Sequence, residues 1–126
     1  MNVPPGIPLH ITQTNKPGGV IEEVRVESTE NHTSMTAIIT PIEARWFMDE
    51  KTAHFFTKIA GISERIPVIE HGDKFIKSKK NKYDADNLLN LPDIEIEPGI
   101  DILNFQRLQR WVEQEGVALA IPKTFP

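Results

Sequence analysis

The sequence predicts a single α+β domain: a small antiparallel or mixed β-sheet packed by two short α-helices. Three observations carry that expectation. Thr40-Pro41-Ile42-Glu43 is a helix start, and Ile102, Leu103, Phe105, Leu108, Trp111 and Val112 recur at helical spacing. Around them lie short apolar runs punctuated by proline and glycine turns, as in a sheet of short strands. A chain of 126 residues has room for one core and too little for two ordinary ones.

Residues 1–8, with Pro4, Pro5, Gly6 and Pro8, read as a flexible, Pro-rich lead-in. The domain then occupies residues 9–126. Leu9 to Thr12 can extend, Asn15–Gly19 is rich in turn residues, and Val24 and Val26 alternate with Arg25, so the pair reads as a β-hairpin with a loop of several residues. The polar stretch Glu27–Thr36 reads as a loop. Thr40 is the N-cap of the first helix, Pro41 fits its first position, and Glu43 completes a capping box. Ile42, Trp46 and Phe47 form its apolar stripe, and the helix ends near Lys51.

Three extended segments follow, at Phe55–Ile59, Pro67–Ile69 and Lys74–Ser78. Asp84–Leu91 reads as a helical turn or ordered loop closed by Pro92. Ile94 and Ile96 alternate with Glu95 and Glu97 and allow another strand. The second helix covers 102–115, with Asp101 as cap and Gly116 as stop, and Val117–Ile121 can add a last strand.

The segment Asp86-Asn87-Leu88-Leu89-Asn90-Leu91-Pro92, with His10-Ile11-Thr12 and Gly18-Gly19-Val20-Ile21 earlier, resembles a family of small, mainly bacterial domains catalogued only as a domain of unknown function. The resemblance covers residues 9–94. It implies no assigned activity, cofactor or catalytic residues, and it leaves 95–126 as a C-terminal extension whose helix either covers the core or forms an interface.

Composition narrows the chemistry. There is no cysteine, which excludes disulfides, thiolate metal sites and a cysteine nucleophile, and suits a reducing, cytoplasmic setting. The start MNVPPGIPLH lacks the basic and apolar regions of a signal peptide, and no apolar run is long enough to span a bilayer, so no membrane association is expected. The four histidines, His10, His32, His54 and His71, form no HExxH or other close pair, and no serine lies in a GxSxG elbow. Asp84, Asp86, Asn87 and Asn90 resemble a calcium loop, but Leu88 and Leu89 stand where a ligand and the turn glycine belong. No catalytic, cofactor or metal residue is therefore assigned.

The strongest charge feature is Lys74, Lys77, Lys79, Lys80 and Lys82, followed over residues 83–101 by six acidic residues and no basic one. The bland reading is a solvated strand and turn. The leading functional expectation is a non-enzymatic accessory or protein-interaction domain, forming a homodimer or binding a protein partner with Trp111 at the contact. One alternative is a nucleic-acid or phosphate-binding module using the lysine cluster. Another is an enzyme whose site gathers His10, His54, His71, Asp84 and Asp86 from separate segments.

Overall fold

The computed structural model describes residues 5–58, 64–71, 75–78, 88 and 91–120, with the side chains of 71, 75, 77, 78 and 117–120 left out. Among the described residues seven strands form one mixed sheet in the order β6-β5-β4-β1-β2-β3-β7. They are β1 (Ile7–Asn15), β2 (Glu23–Ser28), β3 (Thr36–Ile39), β4 (Ala53–Thr57), β5 (Ile66–His71), β6 (Phe75–Ser78) and β7 (Ile102–Leu103). Two helices, α1 (Pro41–Asp49) and α2 (Phe105–Ala120), cover one face. Alternation decides that face. Leu9, Ile11, Val24, Val26, Ala37, Ile39, Ala53, Phe55, Val68 and Ile76 point to the helices and join Ala44, Phe47, Leu108 and Val112 in one core. The α+β expectation is met.

β1 begins at Ile7, inside the expected lead-in. Ile7 donates its N–H to Thr52 O at 3.0 Å, so odd residues of β1 bond toward β4 and even ones toward β2. Pro8 lacks a donor on the β2 side, but β2 ends at Ser28 opposite Leu9, so no ladder bond is lost. Gly6 precedes this junction at φ 90°, where a Cβ would lie 2.4 Å from the Thr52 carbonyl carbon. Only glycine lets the strands meet there.

The hairpin of β1 and β2 is as expected, with a 3-10 turn over Pro17–Gly19. β3 was missed, because the polar stretch before it hides the period-two burial of Ala37 and Ile39. A bulge between Ile11 and Gln13 reverses the alternation of β1. Beyond it, Thr14 turns its side chain to the core and its N–H to the side that β4 has vacated.

In α1, Thr40 Oγ1 accepts from Glu43 N at 3.2 Å, and Glu43 Oε1 accepts from Thr40 N at 2.8 Å, completing the capping box. Its stripe is corrected: Pro41, Ala44 and Phe47 are buried, while Ile42 is 58% exposed and Trp46 38%. The 100° turn per residue cannot bring positions 42, 46 and 47 to one narrow face with the smaller Ala44, and packing chose Ala44.

α2 starts later than expected. Asn104, not Asp101, is the cap, its Oδ1 accepting from Arg107 N at 2.9 Å. Ile102 and Leu103 instead pair in parallel with Thr36 and Ala37. Gly116 does not stop the helix, because it carries no positive φ, and residues 117–120 are helical rather than extended. The expected strand over 94–97 is absent. That backbone is held by side chains: Glu95 N donates to Gln13 Oε1 at 2.8 Å, and Glu95 O accepts from Arg25 Nη1 at 2.5 Å. Leu108 and Val112 are buried, so α2 covers the core.

The C-terminus of α1 has the bonds of a Schellman motif: Thr52 N donates to Phe47 O and Lys51 N to Met48 O, each at 3.1 Å. Lys51 occupies the left-handed position, φ 60°, where glycine is favoured. Lys51→Gly is expected to stabilise the fold by about 1 kcal/mol, relieving the Cβ clash against a smaller entropy cost. A denaturant midpoint that falls in this variant contradicts the expectation.

Candidate functional site

The sheet face turned away from the helices carries a row of polar and aromatic groups. Adjacent strands place His10 beside Glu27 of β2 and beside Phe56 of β4. The His10 and Phe56 rings stack at 4.9 Å with 7° between planes. From the β5 side the Arg65 guanidinium lies 4.3 Å from the Phe56 centroid. The ring is thus capped on both sides and only 4% exposed, although no helix covers it. His54 shares this face, two residues from Phe56, with Nδ1 3.2 Å from Pro5 O.

Both histidines are held below their ordinary pKa. Burial is the main cause for His10, aided by Lys58 and Arg65 and opposed in part by Glu27. Burial also dominates at His54, with Arg65 adding to it and backbone bonding to Pro5 and Gly6 opposing it. The row is therefore electropositive yet carries neutral imidazoles at neutral pH.

The neighbouring part of the same face is closed. Arg25, 5% exposed, reaches Glu97 Oε2 at 2.8 Å and Glu27 Oε2 at 3.4 Å, beneath the strap of residues 93–100. Its hydrogen bond holds the Glu97 carboxyl below the usual range. The strap is reached through the notch beyond β4. Thr14 Oγ1 donates to Leu88 O at 3.3 Å, Thr14 N to Pro92 O at 3.0 Å, and Lys16 Nζ to Leu91 O at 2.7 Å. Leu88 is buried in the core and Leu91 packs against it; Leu89 lies outside the described residues.

On the helix layer, Ile42, Arg45, Trp46 and Asp49 line a shallow groove of about 250 Å³ on the outer side of α1. Trp46 meets Phe47 at 5.1 Å and Phe105 at 5.5 Å, both edge-on, and keeps its other edge in solvent. Arg45 holds Glu70 at 2.7 Å.

Trp111 is half-buried against the core, with His32 edge-on at 6.1 Å and its indole N–H enclosed without a hydrogen-bond partner among the described residues. Lys77 is in β6, its backbone opposite Ile69; its side chain, and all of Lys74, Lys79, Lys80 and Lys82, lie outside the described residues. Asp84 and Asp86 lie outside too, as does the His71 side chain. Of the dispersed set, the structure brings His10 and His54 to one face; His32, outside that set, is near α2. Among the described residues no three His, Asp or Glu side chains gather as a metal site. The row through Phe56 was missed because His10 lies 46 positions before Phe56 and Arg65 nine after it, and only strand register brings them together.

Residues 10–92 match the family described as a protein of unknown function (DUF3892). No curated protein and no solved structure matches the chain. The matched span ends at Pro92, whose carbonyl closes onto Thr14.

Two outcomes follow from this geometry. Thr14→Val keeps the side-chain shape and removes the hydroxyl bonds to Leu88 and Lys16, and is expected to lower stability by about 1–2 kcal/mol in denaturant unfolding. The lowered histidines make the unfolded chain bind protons first as pH falls past 6.5, the ordinary histidine value. Stability contributed by their neutral forms is whole above that value, declines toward the depressed folded pKa values, and then levels. Urea midpoints that stay level across mild acid in the wild type, or a decline undiminished in His10→Asn, would contradict this.

Proposed function

We propose that this chain, which belongs to the family of proteins of unknown function (DUF3892), is a non-enzymatic interaction domain that pairs with a second copy through the outer side of α1. The observation that supports the reading is the exposure of Ile42 and Trp46, four residues apart on one helix. Large apolar side chains in a contiguous stripe are costly to leave in water and mark contact surfaces. An aromatic anchor next to a shallow groove is the usual centre of such a contact.

A second copy is the fitting occupant because the stripe is self-complementary. Arg45 and Asp49 lie one turn apart beside Trp46. An antiparallel α1 of another copy, related by a two-fold axis, lets the indoles and isoleucines of the two stripes cover each other. Trp111 keeps a half-exposed edge and joins the proposed contact as a secondary element. The cysteine-free sequence supports a reducing, cytoplasmic setting, and among the described residues no helix is long and apolar enough to cross a membrane.

Sedimentation against concentration tests the pairing. Trp46→Ala is expected to weaken the dimer by about thirty-fold, roughly 2 kcal/mol, with an unchanged circular dichroism spectrum. A wild type that stays monomeric at high concentration removes the self-association reading, and retention of a different protein by the wild type but not by Trp46→Ala transfers the surface to that partner.

A further inference from the structure

We propose that the open face of β1, β4 and β5 binds a phosphate group, seated between Lys58, Arg65 and His10. This site is independent of the α1 contact, since it lies on the opposite side of the sheet.

Charge balance points to it. Lys16, Arg25, Arg45 and Arg107 each hold a carboxylate. Among the described residues Lys51, Lys58, Arg65 and Arg110 hold none, and of these Lys58 and Arg65 act on His10. Two cations and an imidazole therefore share one stretch of sheet that no described element covers, with Glu27 as the one acidic group that acts on His10 from β2. Glu27 is itself engaged, accepting from Thr12 Oγ1 at 2.8 Å and facing Arg25 at 3.4 Å.

Geometry supplies the second argument. Arg65 lies over the Phe56 ring, 4.3 Å from its centroid. A guanidinium laid on a ring keeps its N–H groups, which lie in its own plane, available to an acceptor at the edge. The His10 imidazole stacks on the same ring, which fixes its plane, and makes no side-chain hydrogen bond to any described residue. Phe56 thus acts as a spacer holding a guanidinium and an imidazole in set positions, with Lys58 two residues further along β4.

A phosphate suits this set better than a carboxylate. A carboxylate's two oxygens are satisfied by one arginine fork, whereas the extra oxygens and charge of phosphate can use three separate donors. Binding is also coupled to protonation. A bound anion favours the imidazolium of His10, so affinity rises as pH falls, and the groups that act on that ring are Lys58, Arg65 and Glu27. The phosphate can be free, on a small molecule, or part of a nucleic-acid backbone; the site recognises the shared group.

The test follows the imidazole proton resonances of His10 and His32 while sulfate, which does not titrate in this range, and then inorganic phosphate are added to the full chain. The expected result is a saturable shift at His10 and none of that size at His32, with affinity falling as pH rises. Arg65→Gln and Lys58→Gln are each expected to weaken binding about ten-fold, as for loss of one charge-assisted contact. Lys58 is exposed, so its variant retains the fold even where loss of Arg65 uncovers Phe56. A thymidine oligonucleotide that competes for the His10 shift identifies the backbone as a source, and phosphate binding without competition identifies a free phosphate; both outcomes support the site. Equal, non-saturating shifts at both histidines up to about 0.1 M salt, the signature of screening alone, overturn it. Unchanged affinity in both glutamine variants overturns it as well.

Discussion

The fold depends on what β1 does at Thr14. For its first half β1 is a central strand, paired with β2 on one side and with β4 on the other. β4 then stops at Thr57, whose hydroxyl donates to Ile11 O at 3.2 Å, and the second half of β1 has an open edge. An unpaired backbone edge beside a core has to find partners. The bulge turns Thr14 so that its N–H and its hydroxyl both serve the chain arriving at Leu88–Pro92. Lys16 strengthens the join from the rim through Leu91 O and Asp93.

That join also settles the fate of the two sheet faces. Entering at the core with Leu88, the chain passes the notch at Pro92 and emerges on the other face, where Gln13 and Arg25 hold Glu95. It reaches the outer edge of β3 as β7 and returns as α2 over the core. Arg25 is buried at modest electrostatic cost because two carboxylates and a carbonyl surround it. The strap occupies the part of the outer face over β2 and leaves the row through His10, Phe56 and Arg65 uncovered by any described element.

Local chemistry made much of this legible. The capping box of α1 is set by four consecutive residues, and the hairpin by a turn-rich segment between alternating valines. The amphipathic pattern of α2 located its buried side through Leu108 and Val112. What escaped was decided at long range. Ile94–Glu97 alternates like a strand, yet its partners are the side chains of Gln13 and Arg25 rather than a neighbouring backbone. Ile42 and Trp46 match a helical stripe, but the shallow gap above the sheet takes Ala44 and Phe47 instead. The DNLLNLP-like segment was recognisable as distinctive. Its described part serves as an anchor, a role visible only once Thr14 is seen opposite it.

The late position of α2 along the chain bears on biosynthesis. Val24, Val26, Ala37 and Ile39 belong to early strands, but Leu108 and Val112, which complete their cover, come from the last helix. As the polypeptide leaves the ribosome, this half of the sheet stays greasy and bare until α2 has emerged. Chaperones that shield nascent apolar surface therefore have a defined interval in which to act, closed when the final helix docks.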